Sequence, residues 1–314
     1  NSYNGDKPLC IYLPLGYPHP PYCVEEPWFS MNDRSKTPRR AQAPENWEGK
    51  PSILKGICQN QKLQTWTEER WRELRATYYG MCSRTDHQFG MLIDTLKKKE
   101  LYENSAIFFF SDHGDFTGDY GLVEKTQNTF EDCLSRVPFI FKPPKQYKVK
   151  PRVCDALVEL IDFPATVYDI TGIDCDYDHF GKSLLKIAAG ETAEHRDAVF
   201  CEGGRRYGEY QAMEIESTSS NNDDGLYSPR IQLQTTDTGP DHGKAVMCRT
   251  KKHKYVMRLY ETDELYDLQN DPLEEHNLIN DPKMKDVLSH LKDRLGKWLV
   301  ETCDVVPRKT DKRN

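Results

Sequence analysis

Residues 107–141 read IFFFSDHGDFTGDYGLVEKTQNTFEDCLSRVPFIF, and this stretch decides the fold class. A continuous apolar run, Ser105 to Phe110, ends at once in Ser111, Asp112, His113 and Gly114. A second run, Arg136 to Phe141, closes the stretch. Immediately upstream, Trp71, Leu74, Tyr78, Cys82, Phe89, Leu92 and Leu96 recur at three-, four- and seven-residue steps between Thr67 and Glu100. That is one face of a long amphipathic helix, with Glu68 and Glu69 suited to its first turn. A long helix followed by a short apolar run is an α/β signature. The pattern predicts a strand buried on both faces that delivers Asp112 and His113 at its carboxyl end, where open α/β sheets bind ligands.

Working outward, Lys7 to Leu15 (KPLCIYLPL) reads as a short buried strand. Gly16 to Leu63 has no period and reads as a long ordered loop, a feature that in compact domains is usually functional. Asp155 to Thr171 has helical spacing, with Pro164 starting or kinking its second part. Residues 203–244 are rich in Gly, Ser, Thr, Asn and Asp and read as a loop excursion. Ala245 to Leu259 supplies one or two strands, Glu264 to Asn280 is turn-rich, and Met284 to Val300 is a terminal amphipathic helix. The expected organisation is a main α/β portion, 1–175, and a smaller α+β subdomain, 176–314, with antiparallel strands and a terminal helix.

The chain has 314 residues, with 43 Lys+Arg against 50 Asp+Glu, a net charge of −7. Such a balance argues against nucleic acid as a partner, which needs a basic footprint. No apolar run approaches the roughly 18 residues of a membrane span, so no membrane partner is expected. The 10 cysteines are scattered without a C-x-x-C pair, so zinc spacing is absent and the thiols read as reduced and mostly buried. There is no N-x-S/T sequon, and the polar opening Asn1 to Lys7 does not resemble a signal peptide. Together these favour a cytoplasmic, bacterial setting.

Three features carry chemistry. Asp112 offers carboxylate oxygen and His113 imidazole nitrogen, so the pair can supply two metal ligands, and Gly114 lets the backbone turn sharply. Lys125 comes after a glycine-punctuated loop, Gly118 to Leu122, and can neutralise an anionic substrate group. His19 stands between prolines in Tyr17-Pro18-His19-Pro20-Pro21-Tyr22, and a histidine so restrained suits general acid work. A second Asp-His-Gly, Asp241 to Gly243, comes after Thr-Gly-Pro and reads as a loop that could reach a substrate from the C-terminal subdomain. Lys251-Lys252-His253-Lys254 reads as a solvated strand edge, and His195 as a structural histidine.

Five stretches, taken in order, resemble the sulfatase family of the alkaline-phosphatase superfamily. They are KPLCIYLPLGYPHPPY, YYGMCSRTDHQFGMLIDTL, the 107–141 stretch with its preceding Ser105-Ala106, VELIDFPATVYDITGI with FGKSLL, and HKYVMRLYETDELYDLQNDPLEEHNLINDP. The resemblance implies a sulfatase-like sheet flanked by helices. It implies that Asp112 and His113 match the second pair of metal ligands, where many members have Asn at the position of His113. Lys125 matches the lysine that binds the sulfate group, and His19 the histidine that contacts sulfate and protonates the leaving oxygen. Asp86 matches a recurrent aspartate taken as structural. The implied activity is a metal-dependent sulfuric ester hydrolase of the arylsulfatase type. Ca²⁺ is the first choice of cation, with Mn²⁺ or Mg²⁺ as alternatives. Its partner would be a sulfate ester: a sulfated sugar, an aryl sulfate or a choline-type ester.

One departure stands against these matches. The family nucleophile is a formylglycine made from C/S-x-P-x-R, and no cysteine or serine here is followed by proline two positions on. The aspartates that supply the first metal ligands are missing too. The expectation is the C-terminal portion of a longer enzyme, inactive alone and holding little stoichiometric metal, since Ca²⁺ takes about 6–8 oxygen ligands. Alternatives are a phosphate or phosphonate ester hydrolase of the same superfamily, or a pseudoenzyme that binds a sulfated ligand without turnover.

Overall fold

The computed structural model describes residues 8–209, 232–233 and 239–303, and the fold is mixed α/β. In chain order the regular elements are α1 (Ser52–Asn60), α2 (Glu68–Lys98), β1 (Ile107–Phe110), α3 (Asp132–Ser135), β2 (Phe139–Lys142), α4 (Asp162–Thr171), α5 (Leu185–Ala189), β3 (Val199–Gly203), β4 (Ala245–Arg249), β5 (His253–Arg258), β6 (Glu264–Asp267) and α6 (Lys285–Thr302). Two compact units emerge, Asn1–Pro38 with Glu68–Glu100, and Arg39–Thr67 with Leu101–Asn314.

The first unit is built on α2, 31 residues long, whose buried side chains include Trp71, Leu74, Thr77, Met81 and Thr85. Trp71 and Leu74 lie on the expected stripe, but Tyr78, Cys82, Phe89, Leu92 and Leu96 are only half-buried, and the buried face continues instead through Thr77, Met81 and Thr85. Glu73 receives a bidentate pair from Arg34 at 2.9 and 3.0 Å, and Arg84 donates to Glu25 at 2.7 Å, tying the preceding loop to the helix. The expected strand at Lys7 to Leu15 is not found. Residues 8–15 carry no strand, and Leu9 and Tyr12 are 48 and 86 % exposed. An apolar run becomes a strand only when a neighbouring backbone takes up its N–H and C=O groups. None does so among the described residues.

In the second unit β1 and β2 pair antiparallel, with Ile107 opposite Lys142 and Phe110 opposite Phe139. Both apolar runs therefore form strands. However, β1 is only half-buried along its length and Ile140 of β2 is exposed, so burial on both faces is not what the structure shows. One face carries Phe108, Phe110, Phe139 and Phe141. Phe163 of α4 packs against Phe108 and Phe110, with ring centroids 4.8 and 5.2 Å away. The supposed loop Gly16 to Leu63 contains α1, which buries Ile53, Leu54, Ile57 and Cys58. Helix α4 is shorter than its apolar spacing implied and starts at Asp162, with Pro164 in its first turn and Gly172 closing it in the left-handed region.

The second sheet runs β3-β4-β5-β6, all antiparallel. Period-2 alternation gives β4 two buried faces. Val246 and Cys248 pack with Tyr255, Leu265 and, from α6, Leu291 and Leu295. Ala245 and Met247 pack with Val256 and Phe130 on the other side. All ten cysteines are unpaired thiols, but only Cys58 and Cys248 are buried and four are exposed, so the expectation of mostly buried thiols is not met. Residues 210–231 and 234–238 of the supposed excursion lie outside the described residues.

The start of α4 is fixed by the buried Asp162 carboxylate. It accepts from the backbone N–H of Glu159 and Lys182 at 2.9 and 2.7 Å, from His195 Nε2 at 3.2 Å and from Arg196. His195 is thus structural, as its sequence context implied. Burial alone would raise the Asp162 pKa. The His195 and Arg196 hydrogen bonds outweigh it and hold the carboxyl well below the usual range. A depressed folded pKa contributes stability that is whole above the unfolded value near 4 and is lost as pH falls towards the folded one. Melting temperature should therefore drop between about pH 5 and pH 3. Asp162→Asn should melt lower at pH 7 and show a shallower acid slope in the same calorimetric series. An unchanged slope would remove this account.

Candidate active site

At the carboxyl end of β1 the chain turns through Ser111, Asp112, His113 and Gly114. The turn is held by Gly114 N–H donating to Leu134 O at 2.7 Å and Asp115 N–H to Cys133 O at 3.1 Å. A Cβ on Gly114 would stand 1.9 Å from the Cys133 carbonyl oxygen, so only glycine allows this approach. Ser111 Oγ donates to His113 O at 2.7 Å, and His113 N–H to Asp112 Oδ1 at 3.0 Å. His113 Nδ1 lies 2.8 Å from the Gly114 carbonyl, which can only accept, so in the neutral ring Nδ1 carries the proton. Nε2 then presents its lone pair 3.8 Å from Asp112 Oδ2, on an aspartate whose side chain is 85 % exposed.

These donors fit a divalent cation in type, tautomer and separation, since ligating imidazoles commonly give their other N–H to a carbonyl. They are two ligands only. Among the described residues no group of three or more His, Cys, Asp or Glu could hold a metal ion.

Lys125 is half-buried between the turn Asp119–Gly121 and α3. The segment C-terminal to it is locked by charge. Lys254, 0 % exposed, sets Nζ 2.7 Å from Asp132 Oδ1, 2.6 Å from Glu274 Oε1 and 2.7 Å from Phe130 O. Arg249 pairs with Asp132 at 2.7 and 2.9 Å. Arg258 pairs with Glu264 at 2.6 Å and donates to Asn128 O at 2.9 Å. Lys50 lies 3.4 Å from Glu131 and over the rings of Tyr120 and Tyr266, at 4.3 and 4.7 Å. Burial would raise the Asp132 pKa, but Lys254 and Arg249 hold it well below the carboxylate range. Burial would lower the Lys254 pKa, but Glu274 and Asp132 raise it.

Lys254 corrects the reading of Lys251 to Lys254 as a solvated edge. Strand alternation turns Lys254, Val256 and Arg258 towards Phe130 and Asn128, while Tyr255 faces α6. With both faces covered, an alternating lysine is buried and needs partners. Sequence reasoning missed the network. The signal was the acidic pair Glu131-Asp132 beside Lys125, matched by alternating basic residues in β5.

His19 belongs to the first unit. It is exposed, its N–H donates to Gly16 O at 3.0 Å, and its Nδ1 lies 2.8 Å from Pro20 O. By the same carbonyl argument its neutral ring keeps the proton on Nδ1. In that unit Arg84 stacks over Tyr17 at 4.5 Å, and Asp86 is exposed on α2. Asp241 to Gly243 is a one-turn 3₁₀ segment, Pro240–His242, and its His242 is buried.

With this geometry in hand, comparison with known proteins is decisive for the family. The sulfatase family profile matches residues 2–173, more than half of the 314, so the chain belongs to the sulfatase family. Residues 240–301 match the C-terminal region of N-sulphoglucosamine sulphohydrolase. The choline-sulfatase of Rhizobium meliloti (strain 1021) is 26 % identical over 100 % of this chain and 55 % of its own length. The arylsulfatase of Clostridium perfringens (strain 13 / Type A) is 26 % identical over 93 % of this chain and 54 % of its own length. The solved phosphonate monoester hydrolase from Silicibacter pomeroyi superposes with a TM-score of 0.72 at 22 % identity, over 91 % of this chain and 55 % of that one. The chain therefore spans about half the length of the relatives it matches. No helix among the described residues is long and apolar enough to cross a membrane.

Replacing Lys254 by Met should strand Glu274 and half of Asp132 and cost roughly 3–5 kcal/mol, read as a lower urea midpoint at unchanged slope. The exposed neighbour Lys252→Met should stay within about 0.5 kcal/mol. Equal effects of the two would remove the network from this role.

Proposed function

We propose that the chain forms the sulfate-holding and leaving-group side of a metal-dependent sulfuric ester hydrolase. The observation that supports this most directly is the pairing of Asp112 Oδ2 and His113 Nε2 at 3.8 Å, in the right tautomer, within the segment that matches the family. Those two atoms would hold a divalent cation, Ca²⁺ first and Mn²⁺ or Mg²⁺ as alternatives, and the bound ion supplies Lewis-acid charge. Lys125 places an ammonium where negative charge collects on the sulfuryl oxygens as the ester bond breaks. His19 hands a proton to the departing alkoxide. The chain carries a net −7, so these local cations must create the field that admits an anion. The first 175 residues would carry these groups, and 176–314 would border the substrate.

The nucleophilic step is not assigned to any residue here, because no C/S-x-P-x-R occurs in the 314 residues. The substrate class is a sulfate ester, sulfated sugar or aryl sulfate. The test is calorimetric titration of the chain with inorganic sulfate, with and without Ca²⁺. Lys125→Ala should weaken sulfate binding about tenfold, as loss of a charge-assisted contact does. Asp112→Asn should abolish any Ca²⁺ enhancement and leave the Ca²⁺-free affinity unchanged. Sulfate affinity untouched by Lys125→Ala would overturn the reading.

A further inference from the structure

The glycine-punctuated loop between the Asp112–His113 turn and Lys125 closes on itself. Phe116 N–H donates to Glu124 O and Gly118 N–H to Leu122 O, both at 2.8 Å, which makes a narrow neck. One arm of the neck leads back to Asp112 and His113, and the other runs straight into Lys125. Whatever fixes the neck therefore fixes the spacing between the proposed cation ligands and the ammonium.

The loop does not hold this shape by itself. Thr117, Tyr120 and Glu124 have φ of 44, 55 and 63°, the left-handed region that residues with a side chain avoid. Such residues cost conformational energy and persist only where their surroundings over-determine them. Glu124 is buried and stands immediately before Lys125. A return of its φ to the ordinary range would swing the Lys125 side chain elsewhere.

The surroundings come from a stretch some eighty positions upstream, Arg39 to Gln42. Ala41 is buried, donates its N–H to Asp119 Oδ1 at 2.8 Å and accepts from Tyr120 N–H at 2.8 Å. Arg40 Nη1 reaches Gly118 O at 3.4 Å. The stretch is itself anchored. Arg39 Nη2 donates to both oxygens of the Glu275 carboxylate, at 2.7 and 2.8 Å, and Gln42 N–H donates to Glu275 Oε1 at 2.6 Å. Glu275 follows Glu274, a partner of Lys254, so this strap hangs from the ionic cluster. Behind the tip of the loop, Tyr120 OH donates to Leu273 O at 2.6 Å. In the reciprocal pair between loop and strap, one bond is backbone to backbone and the other depends on the Asp119 carboxylate. Without that carboxylate the Ala41 N–H loses its acceptor, and a buried donor left unpaired costs more than the bond contributes. The strap then shifts, the loop loses an over-determining contact, and its left-handed residues relax.

We propose that Asp119 is a positioning residue: by gripping Ala41 it sets the Lys125 ammonium at one place relative to Asp112 and His113. It acts on bound sulfate only through Lys125. This inference rests on the reading that Lys125 holds sulfate.

The test is calorimetric titration of the full chain with inorganic sulfate, joined to amide hydrogen exchange at Phe116 and Gly118. Asp119→Ala should weaken sulfate binding by as much as Lys125→Ala does, about tenfold, and should speed exchange at both amides. Asp119→Asn keeps an oxygen that can accept from Ala41 N–H and should return both readouts to the parent values. The double variant Asp119→Ala/Lys125→Ala should bind sulfate no more weakly than Lys125→Ala alone, because residues that act as one unit are not additive. Asp162→Asn, which lowers stability elsewhere, should leave sulfate affinity unchanged, which separates positioning from a general loss of stability. If the alanine variant does not fold, Asp119→Glu takes its place: the longer arm should weaken sulfate binding, and a parent-like affinity overturns the inference. Additive losses in the double variant, or parent-like sulfate affinity in Asp119→Ala beside a weakened Lys125→Ala, overturn the positioning role and leave the Lys125 reading standing. No effect of Lys125→Ala on sulfate removes the Lys125 reading instead. Exchange then decides alone: rates in Asp119→Ala equal to the parent's overturn the positioning role, and faster rates reversed in Asp119→Asn support it.

Discussion

Everything on the site-bearing side of the second unit depends on a buried lysine and the carboxylates around it. Lys254 carries full charge where water does not reach, and it is tolerable there only because Asp132, Glu274 and a main-chain carbonyl receive its three protons. Such an arrangement is poor at adding stability compared with a greasy core of the same volume. Its strength is intolerance of alternatives. Any shift of the 128–132 segment relative to β5 would part charges in a medium that screens them weakly. The backbone after Lys125 is thereby held in one place by residues from four separate stretches of sequence.

The same constraint explains why the sheet is covered as it is. One face of β4 and β5 receives α6 through Leu291 and Leu295, a conventional apolar contact. The opposite face receives Phe130 together with the ionic cluster. The apolar side supplies the free energy of burial and the ionic side selects the register. At the carboxyl end of β1 a different device operates, a glycine pressed against the Cys133 carbonyl, which aims Asp112 and His113 without burying either.

Much of this was legible in the sequence where the signal was local. The long helix, both apolar strands around Asp112 and the terminal helix all follow from periodicity, and the Asp-His pair follows from its place after a strand. What failed depended on distant partners. Leu9 to Leu13 looks like a strand but has no backbone to pair with among the described residues, and β1 looks fully buried but is half-covered. Lys254 looks like surface charge because a basic run conceals the strand alternation that turns it inward. Asp162 looks like mid-helix in the run 155–171, yet its carboxylate ties together positions 159, 182, 195 and 196 and so becomes the helix start. Pairing across long sequence separations leaves no periodic trace.

The ionic cluster also has an implication for exchange of parts between relatives. Because Lys254 and Glu274 lie in the C-terminal sheet region while Asp132 and Phe130 lie beside Lys125, that region is not a detachable module. A graft that brought in a foreign β5 without the matching acids would disorganise the 128–132 segment as well as the grafted piece. Exchange between relatives is therefore constrained to move β5 together with its acidic partners.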